Sequence, residues 1–318
     1  MPPRPPGGAL RCDLGAGDPL DDDDLHLALY VCYELHYRGW EGVDAEWEWD
    51  PGLLGLRAGL ERGFLAALRA ALPPTEPTHP GAVVPAIRAL LDGASGPSVS
   101  AYAERDATVE QLRELAIHRS GYQLKEADPH TWALPRLPAG AAKSAMLGLQ
   151  MDEYGNGEPG RSHAELFAAT MRALDLDPTY GCYLDQIPGV VLATVNLLSL
   201  FGLHRRWAAA CVGHLAVFEM TSVVPMGRYA RAMRRAGRAD GAEFYDVHVT
   251  ADAVHQVVAV DDLIPGLLAA DPDLGADVLF GASALMLLEG RVAEHLLTCW
   301  RLGRSSLLDG RAAFDLAS

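Results

Sequence analysis

An all-α chain is what the sequence predicts, and three observations carry that expectation. Apolar residues recur at three-to-four spacing through most of its length, two-residue alternation is scarce, and dense Gly/Pro clusters fall between helical stretches. At 318 residues, 49% of them hydrophobic, the chain can bury a substantial core. We expect one domain of roughly ten helices over residues 25–318. Residues 1–24, which end in Asp21 to Asp24, read as a disordered acidic tail, too polar to pack.

The first helix is predicted over Leu25 to Tyr37. The second runs from Pro51 to Leu72, with Leu53, Leu54, Leu56, Leu60, Phe64 and Leu68 at helical spacing. Thr108 is the expected cap of a helix through Leu112, Leu115 and Ile117 towards Leu124. Another occupies Ala139 to Glu153 and stops at the breaker run Tyr154-Gly155-Asn156-Gly157-Glu158-Pro159-Gly160. Further helices are expected over Ser162 to Leu174, Pro188 to Leu203, Trp207 to Met220, Gly227 to Ala236 and Ala242 to Val258. Pro272 to Leu302 holds one helix or two. The Pro-rich stretches at 73–85 and 129–138 read as loops between helices, and neither a fixed-period repeat nor a glycine-rich phosphate loop is present.

A net charge of −16 disfavours nucleic acid and anionic membranes as partners. The basic run Arg228, Arg231, Arg234 and Arg235 reads as the solvated face of an amphipathic helix. No apolar run reaches the ~18 residues a bilayer span needs; Pro188 to Leu203 is interrupted by Asn196 and closed by His204-Arg205-Arg206. Five scattered cysteines without a CxxC pair argue against a disulfide framework or a thiolate zinc site. With no apolar h-region at the N-terminus, a cytoplasmic protein is expected.

Chemistry concentrates between Phe244 and Val258. His248, Asp252 and His255 stand at i, i+4 and i+7, which puts two imidazoles and a carboxylate on one helix face. That donor set suits a borderline divalent ion such as Fe(II). Val247, Val249, Ala251, Ala253, Val254, Val257 and Val258 surround the three, so the helix reads as apolar nearly all round and buried. Burying these groups without partners is costly, and a metal compensates. Glu219 lies alone in the apolar segment Gly213 to Met220; His163 opens the helix that follows the breaker run, and Asp152-Glu153 closes the one before it. Taking Glu153, the inventory is three His and three carboxylates, a set suited to a carboxylate-rich dinuclear iron site.

These six positions, in this order, resemble the heme-oxygenase-like diiron oxidases and oxygenases, often described as iron-containing redox enzymes. The resemblance runs from about residue 105 to 300. It rests on the His-x3-Asp-x2-His helix (His248, Asp252, His255), the upstream Glu153 and His163, the lone Glu219, and the phrase Asp-Glu-Tyr-Gly-Asn-Gly-Glu-Pro-Gly-Arg-Ser-His at 152–163. It implies a heme-oxygenase-like helical bundle, two Fe(II) ions per chain with the second often held weakly, and O2-dependent chemistry. Reactions in the family include N-oxygenation of amines, oxidative cleavage of fatty acids and fragmentation of halogenated lysine. The interval between the paired Glu and His is long here and crosses several glycines, so Asp152 and Glu158 stand as alternatives to Glu153. Some N-oxygenating members use a further carboxylate from the preceding helix, and Glu126 corresponds, against the reading of a surface Glu beside Lys125 and Asp128.

Other residues are weighed and set aside. A ferritin-like site needs helical Glu-x-x-His pairs, and the lone example, Glu76 to His79, sits among prolines. Glu114 and His118 read as a helix-surface pair, His214 as core, and Trp40 to Trp49 as a loop laying its rings on the core. Tyr154 and Tyr245 are candidates for supporting positions around the metal, against ordinary packing. The functional expectation is a non-heme iron enzyme acting with O2 on a small amine, amino acid or fatty-acid-like substrate. Its electrons come from the substrate or an external donor, and a homodimer is compatible with such a fold. The alternatives are a cofactor-independent oxidase, a thiaminase-like hydrolase using Cys182 or Cys211, and a non-enzymatic helical binding protein.

Overall fold

The computed structural model describes residues 17–75 and 79–309. Among them are thirteen α-helices and no strand: α1 (Asp23–Glu34), α2 (Pro51–Ala71), α3 (Pro80–Asp92), α4 (Val99–Arg105), α5 (Val109–Gln123), α6 (Asp128–Thr131), α7 (Ala141–Glu153), α8 (His163–Ala173), α9 (Gly189–Leu203), α10 (Ala208–Arg235), α11 (Glu243–Val258), α12 (Ile264–Ala270) and α13 (Gly275–Arg301). The expected all-α bundle is what the chain forms.

α10 is the central helix, packed against α13 on one side and α11 on the other, with α4 and α9 completing its surroundings. The α10–α13 contact is close enough to touch backbone on backbone. A Cβ at Gly213 would overlap the Val278 carbonyl, and one at Gly281 would overlap the Ala210 carbonyl. α9 is apolar on every side and buried from Gly189 to Gly202, with α1 laid against it. Asn196, which interrupts its apolar run, donates to the His26 carbonyl at 2.8 Å and so joins α9 to α1.

Several expectations are corrected. The acidic tail does not extend to residue 24: Leu20 is buried, Asp18 and Asp21 bind Arg291 of α13, and Asp22 caps α1 by accepting from Leu25 N at 2.7 Å. The earlier part of that tail, 1–16, lies outside the described residues. The Pro-rich stretch at 73–85 contains the start of α3, because Pro80 takes the first helical turn, where a missing N–H costs nothing. Pro85 removes one helix bond, yet Val83 and Ile87 still bury α3's inner face. The two helices expected at 207–220 and 227–236 are one, continuous through Pro225, and 275–301 is a single helix. α11 is not buried all round: Val254 is 60% and Val257 50% exposed, so only the face that carries His248, Asp252 and His255 turns inward. Glu114 and His118 are not a surface pair either; Glu114 accepts from Trp300 Nε1 at 2.7 Å and His118 meets Ser306 Oγ at 2.8 Å, which ties down the segment after α13. Trp49 is exposed rather than laid on the core. Two helical stretches, 205–235 and 239–270, have the length and apolarity of a bilayer span, which reading uninterrupted runs did not anticipate. The first is mostly buried within the bundle, and its central stretch serves as core.

Candidate metal centre

Five elements, α10 among them, converge at one place. α5 ends at Gln123 and the chain turns sharply at 124–127, where Ala127 takes a positive φ of 78°. That turn carries Glu126 inward. It is anchored by Lys125, wholly buried, which donates to Glu34 Oε2 at 2.9 Å and sits over the rings of Tyr30 and Tyr37 at 4.3 and 4.5 Å. Tyr180 also donates to that oxygen, at 2.6 Å. Glu153 is the last residue of α7 and His163 the first of α8, whose start is set by a reciprocal capping box between Ser162 and Glu165. α10 supplies Glu219, and α11 supplies His248, Asp252 and His255 from one face.

The donor atoms form two overlapping groups, Glu126–Glu153–His163–His248 and Glu153–Glu219–His255. Glu153 belongs to both and gives each one oxygen: Oε2 lies 2.6 Å from His163 Nδ1, and Oε1 lies 3.6 Å from His255 Nδ1. His248 Nε2 is 3.6 Å from Glu126 Oε1, and His255 Nδ1 is 3.3 Å from Glu219 Oε2 and 3.5 Å from Asp252 Oδ1. Asp252 stands beside the second group, its Oδ2 accepting from Ser222 Oγ at 2.5 Å.

Hydrogen bonding around the rim fixes which atoms face inward. His248 Nδ1 donates to the Phe244 carbonyl at 2.7 Å, leaving the Nε2 lone pair for the centre. His163 Nδ1, His255 Nδ1 and Glu126 Oε2 are buried and, despite the carboxylate oxygens close to the two nitrogens, none has a partner in hydrogen-bonding geometry. Buried polar atoms of a folded protein are almost always paired. Three that are not, converging on one place, fit a cation as their common partner, and the mixed imidazole and carboxylate set suits iron.

The electrostatics agree. Burial pushes the Glu153 carboxyl up to about 7 and that of Glu219 to about 8, and it raises Glu126 as well. Burial also holds His163 down at about 4. For His248 and His255 burial acts in the same downward sense, but the surrounding carboxylates outweigh it and lift them to about 10 and about 11. Four acidic groups enclosed with three imidazoles share protons that a divalent ion could displace.

All six positions singled out in the sequence therefore meet, and Glu126 joins them as a fully enclosed group, not a surface one. Glu153 takes the inward place; Glu158 is exposed, and Asp152 meets the outer nitrogen of His255. Tyr154 does not support the centre: its hydroxyl donates to Asp128 at 2.8 Å and lies 3.2 Å from the Thr131 hydroxyl, on the α6 side. Tyr245 packs between Tyr229 and Phe244, and reaches the site only through the ring of Phe244 against His248. His214 is core, paired with His130 at 3.2 Å. His79 caps α3, while Glu76 lies outside the described residues. Sequence reading passed over Tyr122, His130, Gln150, Leu215, Phe218 and Ser222, which line a pocket with Glu126, Glu153, Glu219, His248 and Asp252. Ser222 alone had a signal, standing one turn beyond Glu219 on the same helix.

A family model described as iron-containing redox enzyme matches residues 113–290, a span that contains all seven convergent residues. No curated protein matches the chain.

Proposed function

The chain belongs to the iron-containing redox enzyme family and has that family's helical heme-oxygenase-like fold, and from this premise we propose that it is a diiron enzyme using O2 to oxidise a small organic substrate. The observation that carries the reading is Glu153, one oxygen in each of two buried donor groups, as a carboxylate shared by two ions requires. Glu126, His163 and His248 would hold one Fe(II), and Glu219, His255 and Asp252 the other. Iron bound there would supply O2 binding and reduction.

The chain's own residues prepare the site. The Phe244 carbonyl keeps His248 in one tautomer, and Ser222 holds one oxygen of Asp252 so that the other faces His255. Leu215, Phe218 and Tyr122 give the pocket an apolar wall that limits water. The substrate class we infer is a small amine, amino acid or fatty-acid-like molecule, with electrons drawn from it or from an external donor. The enclosed space beside these residues is about 10 Å³, water-sized, so such a substrate would require the pocket to open. The cysteine-based hydrolase has no support of this kind. Burial lifts the Cys211 thiol to about 12, and Cys182 is exposed with its Sγ bound to the Asp177 carbonyl.

Anaerobic Fe(II) titration of metal-stripped protein, followed by O2-uptake measurement, tests the proposal. The expected result is two ions per chain and O2 consumption on exposure to air, with both ions lost in Glu153→Ala. Absence of saturable Fe(II) uptake by the wild-type chain would sink it.

A further inference from the structure

Asp152 immediately precedes Glu153 but turns the other way, lining a surface groove beside His163 and Asn156. Its Oδ2 accepts from His255 Nε2 at 3.1 Å, and its Oδ1 accepts from Asn156 Nδ2 at 2.8 Å. Asn156 reaches it from a left-handed conformation, φ 55°, between two glycines that are also at positive φ. Gly155 has no alternative, since a Cβ there would overlap the backbone of Arg161 as the chain doubles back to start α8. The breaker run thus does more than end a helix. Within twelve residues it delivers two ligands, Glu153 and His163, together with an Asn–Asp pair aimed at a third.

We propose that Asp152, braced by Asn156, is the positioning residue of His255. A carboxylate can only accept, so the contact places the imidazole proton on Nε2. Nδ1, which faces Glu153 and Glu219, is then the nitrogen open to a metal. The same contact fixes the ring's rotation, and the negative charge makes the inward nitrogen more basic. Outer partners of this kind typically change metal affinity ~10- to 100-fold. Asp152 is 45% exposed at its side chain, so replacing it removes little buried surface and its effect is expected to be confined to His255.

The inference rests on the two-iron reading and is separable from it. Fe(II) would be titrated anaerobically into metal-free full-length wild type, Asp152→Ala, Asp152→Asn, Asp152→Glu and Asn156→Ala, with thermal melting of each metal-free protein alongside. One ion is expected to bind Asp152→Ala as it binds wild type, and the other roughly 10- to 100-fold more weakly. Asp152→Glu should recover much of the loss, and Asn156→Ala should show a smaller one. In a His255→Ala background, Asp152→Ala should cause no further change, since the two act through one ring. If metal-free Asp152→Ala melts early, the isosteric Asp152→Asn carries the comparison. Equal affinity for both ions in wild type and Asp152→Asn would overturn the proposal, as would equal weakening of both ions. A wild type that takes up no Fe(II) would overturn the metal reading and this inference with it.

Discussion

In the proposed diiron centre Glu126 and Glu219 would serve different halves, and each half can be addressed through one residue. Glu126 meets His248, whereas Glu219 meets His255, and Glu153 alone is common to both groups. Glu126→Ala and Glu219→Ala are each expected to bind one Fe(II) per chain in the titration that gives two for wild type. Loss of both ions in either variant would mean that the halves are not independent. The spacing of His248, Asp252 and His255 was readable because a single helix carries all three, so local geometry settles their common face. Glu126 was not readable in the same way, because its neighbour Lys125 looks like a surface residue. What buries Lys125 is Glu34, which lies 91 positions earlier, and Tyr180, far later in the chain. No local pattern encodes that pairing. Removing one partner of such a pair strands the other charge in the interior. Lys125→Met is therefore expected to cost about 3–5 kcal/mol in urea unfolding, more than Lys125→Met combined with Glu34→Leu.

Among the elements, α10 and α13 set the spacing on which the centre depends. Gly213 and Gly281 let the two backbones meet, and Glu219 follows Gly213 by less than two turns of α10. Gly281→Val should force the helices apart and destabilise the fold by about 1–3 kcal/mol, measured by urea unfolding. On the proposed diiron reading, the Fe(II) site that would use Glu219 should weaken in the same variant, while the site that would use Glu126 keeps its affinity. Helix type was legible for the longer helices, since apolar spacing reports on local burial, but α3, α4, α6 and α12 were not expected, and α6 (Asp128–Thr131) enters the 129–138 stretch read as a loop. Helix ends were less legible where proline density misled, as at Pro80, where the ring starts a helix, and at Pro225, which α10 absorbs without stopping. The exposed side of α11 was missed for a different reason. Val254 and Val257 carry the composition of a core helix, but the direction in which a valine faces follows from what packs against it, and nothing among the described residues covers these two.

At the scale of the whole molecule, the bundle encloses several histidines outside the centre, and they make its acid stability predictable. His26 and His118 are held down by burial, to about 4 and about 3. Both are placed as neutral rings: His26 Nε2 donates to the Pro19 carbonyl at 2.9 Å, and His118 pairs with the Ser306 hydroxyl. His214 is likewise held at about 4 by burial. Between these values and the ordinary 6.5, the unfolded chain binds protons that the folded chain refuses, so stability rises with pH and is lost as pH falls. Each such histidine contributes up to about 1.4 kcal/mol per pH unit in that window. Glu153 and Glu219 act in the opposite sense above the ordinary 4.5, because their raised values make the folded metal-free protein bind protons more readily. The total slope therefore mixes both signs, and a variant isolates one contribution. Urea unfolding of metal-free wild type and His118→Gln at pH 6.5, 5.5 and 4.5 should show an average slope smaller by about 1 kcal/mol per pH unit in the variant. Parallel slopes would mean that His118 carries its proton inside the fold, and that its contact with the C-terminal segment is a charged one.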